Sequence, residues 1–233
     1  MIVLVIGAHP DDETYAGGAI ARYAEQGHAV YLLMTTRGEG GSTGDPPVCE
    51  QDELGAVREQ EARAAGAILG VRDVLFLPYR DPVPINGSPQ AADVSLEDFS
   101  AAIQGVLANL RPDVVITHGS SGEYRHPQHI LTHQAVLHAL RSRYPEKPQQ
   151  VWTWCASYPD PELPAETNWD DPADWLLDIR SWVDRKWQAL RAHRSQVEAI
   201  ARFLSARNSP IMSEKVESFH FLPDLSAGFP SDQ

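Results

Sequence analysis

Cysteine is scarce in this chain of 233 residues, which contains only Cys49 and Cys155. Two cysteines provide neither a disulfide framework nor a cysteine-based zinc site. Basic side chains are also few, with 19 Lys and Arg against 32 Asp and Glu and a net charge of −13. Because nucleic acids and anionic membranes are bound through Lys and Arg, this balance argues against both as partners.

Long apolar runs are absent as well. No stretch approaches the roughly 20 residues that a membrane-spanning helix needs, so we expect no membrane insertion. The apolar residues 2–6 are too few for the core of a signal peptide and lack a basic flank, so we expect a cytoplasmic protein. The length suits one domain, residues 1–233, since single α/β domains often have about 200–250 residues.

Short apolar runs alternate with helical patterns along the first two thirds of the chain. The runs predict strands at residues 2–6, 29–34, 74–77, 114–117 and 151–156. The helical patterns cover residues 14–26, 52–69, 95–109 and 128–143. This alternation predicts an α/β fold with a Rossmann-like, doubly wound and mostly parallel sheet over residues 1–156. We expect residues 157–233 to form a C-terminal α/β elaboration, with a surface loop at 159–174, a helix at 181–204 and a polar tail.

The first predicted strand leads directly into a short acidic turn. Residues 7–12 (Gly-Ala-His-Pro-Asp-Asp) stand where a dinucleotide-binding fold has its G-x-G-x-x-G turn. The glycines that let a backbone approach a pyrophosphate are missing, and carboxylates repel one. A histidine and an aspartate three residues apart instead suit a metal such as zinc. The alternative interpretation is that Asp11 or Asp12 caps the first helix.

Histidines crowd together after the fourth predicted strand. Ligands of such sheets bind at the carboxyl ends of the strands, so His126 and His129 are expected near His9 and its aspartates. A zinc ion held by His9, Asp12 and His129 would bind a water molecule and lower its pKa to roughly 7. Asp11 would then be the general base and His126 the electrophilic partner, although spacing alone does not distinguish Asp11 from Asp12.

Two motifs together resemble those of a known enzyme family. Residues 8–13 (Ala-His-Pro-Asp-Asp-Glu) and 126–129 (His-Pro-Gln-His) resemble the LmbE-like, or PIG-L, zinc-dependent N-deacetylases. Supporting matches occur at residues 36–41, at Arg58 with Glu61, and at residues 186–196. The resemblance implies a Rossmann-like domain that hydrolyses the acetamide of an N-acetylglucosaminyl compound, with one zinc ion per chain or ferrous iron in its place.

The resemblance also implies roles for individual residues. The family's zinc ligands match His9, Asp12 and His129, its general base matches Asp11, and its oxyanion-stabilising or amine-protonating histidine matches His126. Arg58 and Asp81 match groups that hold the sugar. Gln128 departs from the aspartate that many members have at this position, beside the catalytic histidine. We therefore expect His126 to stay neutral to lower pH than in those members.

Several functions are compatible with these motifs. The leading hypothesis is a small N-acetylated amino-sugar substrate, such as a precursor of a mycothiol-type or bacillithiol-type thiol cofactor. The same machinery could act on another N-acyl substrate, for example a modified antibiotic or a lipid-linked sugar. A third hypothesis is a non-catalytic module that binds a sugar or a nucleotide and whose histidines are incidental. A homo-oligomer is compatible with all three.

Three further features have both a structural and a functional interpretation. For the Gly-rich residues 37–44, a loop that covers substrate is favoured over a merely flexible one. For the six tryptophans, which all lie between Trp152 and Trp187, core packing is favoured over an aromatic floor for a sugar. For His133 and His138 we favour helix packing, whereas the resemblance places His193 near the site.

Overall fold

The computed structural model describes residues 1–141, 147–160, 167–201 and 213–225. The strands in these residues are β1 (Ile2–Gly7), β2 (Ala29–Thr36), β3 (Asp73–Tyr79), β4 (Val114–Thr117), β5 (Gln150–Trp154), β6 (Ala156–Ser157), β7 (Asn168–Pro172), β8 (Trp175–Asp178) and β9 (Val216–Phe221). The helices are α1 (Gly17–Glu25), α2 (Leu54–Leu69), α3 (Leu96–Leu110), α4 (Gly122–Arg125), α5 (Pro127–Arg141) and α6 (Val183–Ala192). Seven strands form a central sheet in the order β3-β2-β1-β4-β5-β9-β8, and β6 pairs with β7.

The central sheet is mostly parallel. Strands β1 to β5 run parallel to their neighbours in this group, whereas β9 is antiparallel to both β5 and β8. The order 3-2-1-4-5 is that of a Rossmann-like sheet, so the predicted fold class is confirmed. The direction of winding reverses between β1 and β4. In such sheets ligands bind at this point, beyond the carboxyl ends of the strands.

The hydrophobic core lies on both faces of the sheet. In β1, Val3 and Val5 face the layer of α1, α2 and α6, whereas Leu4 and Ile6 face α3 and α5. All four side chains are fully buried. A strand covered on both faces is apolar at successive positions, which explains the uninterrupted run at residues 2–6. Among the helices of the described ranges, none combines the length and the apolar character needed to cross a membrane.

The predicted strands and helices of the N-terminal part are present, with one change at the first helix. Residues Asp12–Ala16 form a 3₁₀ turn, and α1 begins at Gly17. The tighter turn occurs where the carboxylate of Asp12 reaches back to the backbone N–H groups of Ala8 and His9. Of the helix predicted at 128–143, residues 142 and 143 lie outside the described residues.

The C-terminal predictions were partly wrong. The segment predicted as a loop at 159–174 contains β7, with residues 161–166 outside the described ranges. The helix predicted at 181–204 is interrupted after Ala192 and resumes at residues 197–201, with residues 202–204 outside the described ranges. Strand β9 lies in the predicted polar tail. Its inward positions are Glu217, Phe219 and Phe221, so one charged residue interrupts the apolar alternation by which a strand is recognised.

Candidate active site

A cavity of about 290 Å³ opens at the carboxyl edge of the sheet. Its walls come from the segments that follow β1, β2, β3 and β4, together with residues 196–200. The predicted site residues on these walls are His9, Asp11, Asp12, Arg58, Asp81 and His126. His129 is not on the wall, but its ring centroid lies 4.5 Å from that of His126. The fold therefore brings all seven predicted residues into one region.

Asp12 is the buried centre of this region. Its Oδ2 accepts hydrogen bonds from the N–H groups of Ala8, at 2.8 Å, and His9, at 3.0 Å. The same oxygen lies 3.5 Å from His9 Nδ1, and Oδ1 lies 3.3 Å from His129 Nε2. Burial opposes ionisation, but the facing histidines hold the pKa of Asp12 well below its usual range. Neither Asp11 nor Asp12 caps the following helix with its side chain, so the capping interpretation was wrong.

Two buried nitrogens in the cluster have no hydrogen-bond partner within the described part of the chain. They are His9 Nδ1 and His129 Nε2, the atoms that face Asp12. Although burial opposes it, the Asp12 carboxylate raises the pKa of His129 to about 10, so the cluster favours a positive charge. A divalent cation satisfies that preference as well as a proton does. Imidazole and carboxylate are donors typical of zinc, so the residues present fit such an ion.

His118 is a buried neighbour of this cluster that the motif analysis did not assign. Distances alone would allow Asp12, His118 and His129 to hold a metal. However, both ring nitrogens of His118 are engaged, Nδ1 with Glu123 and Nε2 with the N–H of Ala8 at 3.0 Å. Since His9 Nδ1 has no such bond, the structure favours His9 over His118 as a ligand.

Glu123 orients the histidines of the cluster and was also missed. Its fully buried Oε2 accepts a hydrogen bond from Nδ1–H of His129, at 2.6 Å, and from Nδ1–H of His118, at 2.8 Å. A proton fixed on Nδ1 leaves the lone pair of His129 on Nε2, which points toward Asp12. Glu123 adopts φ 59°, a left-handed conformation that residues with a Cβ rarely take. No local sequence pattern indicates such a role.

The other oxygen of Glu123 is held from the C-terminal part of the chain. Oε1 accepts hydrogen bonds from Trp154 Nε1, at 3.0 Å, and from Asn168 Nδ2, at 3.2 Å. Asn168 also packs so closely on Gly119 that a Cβ there would lie 2.1 Å from its Nδ2. His118 and His129 hold the pKa of Glu123 far below its ordinary value despite burial, with His118 as the larger influence.

Asp11 differs from Asp12 in facing the cavity. Its backbone is left-handed, with φ 95°, and its side chain is 16% exposed, against 2% for Asp12. Its Oδ1 lies 3.8 Å from His9 Nδ1, and its Oδ2 accepts a hydrogen bond from Arg58 at 3.2 Å. The geometry therefore separates two carboxylates that spacing alone could not distinguish. Asp12 is enclosed among possible ligands, whereas Asp11 is open to a substrate.

Arg58 is buried and makes three hydrogen bonds. Besides Asp11, its guanidinium donates to the carbonyl oxygens of Gly38, at 2.9 Å, and Pro10. Gly38 has φ 67°, and a Cβ there would lie 2.1 Å from Nη1, so the loop needs glycine to pass over the guanidinium. The Gly-rich segment is thus fixed against Arg58, and its Gly40 and Gly41 line the cavity.

His126 presents an N–H group near the cavity. Its Nδ1 accepts a hydrogen bond from the backbone N–H of Gln128 at 3.2 Å, so the neutral ring carries its proton on Nε2. Burial, with the nearby His9 and His129, lowers the pKa of His126 to about 2. The Gln128 side chain accepts from Ala92 N–H at 2.7 Å instead of contacting the ring. In this chain the side chain of position 128 therefore does not pair with His126.

Comparison with known proteins identifies the family. The model of the PIG-L family, described as GlcNAc-PI de-N-acetylase, matches residues 4–140. The chain belongs to the PIG-L family. A 1D-myo-inositol 2-acetamido-2-deoxy-alpha-D-glucopyranoside deacetylase of Rhodococcus erythropolis is 35% identical, over 97% of this chain and 91% of that protein. The predicted resemblance is thus confirmed.

Solved structures with the same fold have more than one activity. The N,N′-diacetylchitobiose deacetylase of Pyrococcus horikoshii superposes with a TM-score of 0.69 at 23% identity, over 96% of this chain and 84% of that one. The 4-carboxy-2-hydroxymuconate hydratase GalB of Pseudomonas putida superposes with a TM-score of 0.65 at 24% identity, over 100% and 98%. At these identities the likeness concerns the fold, so the reaction must be argued from the site.

The part of this PIG-L protein beyond the family match also reaches the site. Gln196 lines the cavity and donates a hydrogen bond from Nε2 to the carbonyl of Ser42 at 2.6 Å. His193 is fully buried and bonds Glu13.

Two further residues lie within the family match. His133 bonds the carbonyl of His118 at 2.8 Å, which agrees with the favoured packing role. Asp81 lies in the wall, and burial raises the pKa of its carboxyl.

The tryptophans of this PIG-L protein are separate from the cavity. Trp152 and Trp154 are buried in the core, as the favoured interpretation predicted. Trp169 is instead 61% exposed. No tryptophan lines the cavity in the described ranges, where the aromatic wall residues are Tyr15 and Tyr124.

Proposed function

We propose that this chain is a metal-dependent deacetylase that hydrolyses the N-acetyl group of an N-acetylglucosaminyl compound. One observation carries the proposal: two unpartnered, buried nitrogens, His9 Nδ1 and His129 Nε2, face the two oxygens of Asp12 beside a cavity. The family description and the name of the Rhodococcus relative support removal of an acetyl group from an amino sugar. The inositol-linked sugar of that relative is the first substrate to test.

His9, Asp12 and His129 would hold one zinc ion, with ferrous iron as the alternative. When bound, such an ion supplies a Lewis acid that polarises the carbonyl oxygen and lowers the pKa of a coordinated water to about 7. Glu123 prepares the site by keeping the proton of His129 on Nδ1. The backbone N–H groups of Ala8 and His9 fix the Asp12 carboxylate in the same way.

Asp11 would act as the general base and His126 as the oxyanion donor. The water oxygen adds to the acetamide carbon while Asp11 accepts a proton from the water. His126 donates a hydrogen bond from Nε2 to the carbonyl oxygen as that oxygen becomes negative. The carbon–nitrogen bond then breaks, and the proton held by Asp11 passes to the nitrogen. Acetate and the free amine are the products.

Asp81 and Arg58 are the proposed sugar contacts. Asp81 is 7% exposed in the cavity wall, and its carboxyl can bond a sugar hydroxyl. Two nitrogens of Arg58 are occupied by protein acceptors, while its Nε has no hydrogen-bond partner among the described residues. Since Nε is itself buried, Arg58 would act from the cavity wall mainly by fixing Asp11 beside the sugar.

Metal analysis combined with amine release tests the proposal directly. Purified protein should contain about one zinc or iron per chain. The substrate panel should include N-acetylglucosaminyl-inositol, N,N′-diacetylchitobiose and an N-acylated glycopeptide antibiotic, with free amine as the measured product. A metal-free protein that binds these sugars equally well after His9→Ala would instead favour a non-catalytic binding module.

Asp11→Asn tests the assignment of the base. The variant should keep its metal but lose kcat by about 1,000-fold, because the amide cannot accept the proton of water. Asp52→Asn, at an exposed residue outside the cavity, provides the matched control and should retain wild-type kinetics. Full activity of Asp11→Asn would contradict the assigned role.

A further inference from the structure

Glu13 and His193 form a buried pair that no step of the proposed reaction uses. Both side chains are 0% exposed, and His193 Nε2 lies 2.5 Å from Glu13 Oε1. Within the described residues, Nδ1 of His193 has no hydrogen-bond partner, so Glu13 is the ring's one hydrogen-bonding contact. The pair connects the turn after β1 to the residue that follows α6, across 180 positions of sequence.

The second oxygen of Glu13 is bonded to the backbone of the proposed base. Oε2 accepts a hydrogen bond from the N–H of Asp11 at 3.0 Å. Asp11 has φ 95° and ψ −21°, a left-handed conformation that is unfavourable for a residue with a Cβ. Such a conformation persists only when its surroundings hold it. The Glu13 carboxylate provides that support by accepting the hydrogen bond from the backbone N–H of Asp11.

The conformation of Asp11 decides where its carboxylate points. With φ 95°, the side chain faces the cavity and meets Arg58 at 3.2 Å, while the next residue turns back to the sheet. We propose that Glu13 and His193 are positioning residues, which hold Asp11 in its left-handed turn so that its carboxylate meets the attacking water. This role rests on the proposed function, because Glu13 and His193 affect the reaction only if Asp11 is its general base.

Anchoring of the C-terminal segment does not explain the pair. That segment is already tied down two residues further on, where the N–H and Oγ of Ser195 donate to Glu61 at 2.7 Å and 2.6 Å. Ser195 is as buried as His193, and its partner is likewise a buried carboxylate. The difference is that Glu61 has no bond to Asp11, whereas Glu13 has one. Ser195→Ala is therefore a matched control for His193→Ala.

Kinetics of single variants form the first test. Glu13→Ala should lower kcat by about 100-fold and His193→Ala by about 10-fold, because small displacements of a catalytic group have effects of this size. Metal content should stay at the wild-type value and KM should change less than about twofold, since the pair does not touch the substrate. His193→Gln keeps an N–H donor near the position of Nε2 and should recover most of the loss. Ser195→Ala should stay within about threefold of wild type.

A double-mutant comparison separates positioning from general structure. In the Asp11→Asn background, adding His193→Ala should produce no further loss, because a residue that acts through Asp11 has no effect once the base is removed. Additive losses would overturn the proposal. So would a loss of metal in His193→Ala, or a decrease in Ser195→Ala as large as in His193→Ala.

An NMR measurement on the protein tests the pair without relying on turnover. The amide proton resonance of Asp11 should shift in both His193→Ala and Glu13→Ala, and it should return toward the wild-type position in His193→Gln. An unchanged Asp11 resonance in Glu13→Ala would overturn the proposal even if the enzyme is active. If wild-type protein releases no amine from any substrate, the proposed function fails, and this resonance still decides whether the pair holds Asp11.

Discussion

Residues 1–141 and the described residues from 147 onward contribute differently to the site. The first region contains every candidate ligand, the base and the oxyanion donor. The second contributes donors to carboxylates of the first: Trp154 and Asn168 to Glu123, His193 to Glu13, and Ser195 to Glu61. The reactive groups are therefore encoded in short motifs, whereas their orientation depends on contacts between residues far apart in sequence.

Other contacts between the two regions have donors in the first region and acceptors in the second, and those of Glu217 combine hydrogen bonds with a buried ion pair. Glu217 of β9 accepts hydrogen bonds from the N–H groups of Gly18, at 2.8 Å, and Ala19, at 2.9 Å, at the start of α1. Its Oε1 also lies 2.9 Å from Lys186 Nζ of α6, and both charged side chains are almost fully buried. The carboxylate satisfies free backbone donors and complements the positive end of the helix dipole.

Breaking this buried ion pair should give the largest effect on stability. Lys186→Met leaves Glu217 buried without its cation, and we expect the free energy of unfolding to fall by about 3–5 kcal/mol. Urea denaturation measures the change. The double variant Lys186→Met/Glu217→Gln should recover much of it, because it removes both charges. A loss below about 1 kcal/mol in the single variant would show that Lys186 contributes little to holding the carboxylate that binds α1.

Removing the charge of Glu123 should have a smaller effect, confined to the site. Glu123→Gln cannot accept both histidine protons on one anionic oxygen, so zinc affinity should decrease about 10- to 100-fold. Competition with a chromogenic chelator gives the affinity. Glu61→Gln is the matched control. Glu61 is also a buried carboxylate and accepts hydrogen bonds from Ser195 of the C-terminal region, but it does not bond a candidate metal ligand. Equal affinities in the two variants would contradict the orienting role of Glu123.

An exposed ion pair of the C-terminal region should have the smallest effect. Arg180 donates hydrogen bonds to Asp178 from its backbone N–H, Nε and Nη2, and lowers the pKa of that carboxyl to about 2. Both side chains are solvent-exposed, so Arg180→Ala should leave the midpoint of thermal unfolding unchanged. The pKa of Asp178, followed by NMR titration, should rise toward its ordinary value. A clear decrease in the midpoint would show that surface pairs also support this region.

Much of the first region could be predicted because its signals are local. The run at residues 2–6 indicates a strand buried on both faces, and the turn that follows it presents His9, Asp11 and Asp12 at its carboxyl end. His118 also had a signal, since it stands directly after β4 among other histidines. Its bonds to Glu123 and Ala8 could not be deduced, because they depend on ring orientation.

The supporting contacts could not be predicted, since none has a pattern in neighbouring residues. Glu123 stands in a short turn, and its left-handed backbone leaves no mark in the sequence. Glu217 resembles a solvent-facing residue until β9 is placed between β5 and β8. Likewise, α6 ends at Ala192, and the following His193 bonds Glu13, a residue 180 positions earlier in the chain.

The place of β9 in the sheet has a consequence for biosynthesis. A ribosome delivers β5 about 60 residues before β9, and in the interval the edge formed by Trp152 and Trp154 has no strand to pair with. During the same interval, the first amides of α1 lack the carboxylate of Glu217, which lies 199 positions after Gly18. An aromatic strand edge is therefore exposed to aggregation until β9 has left the ribosome and paired with β5.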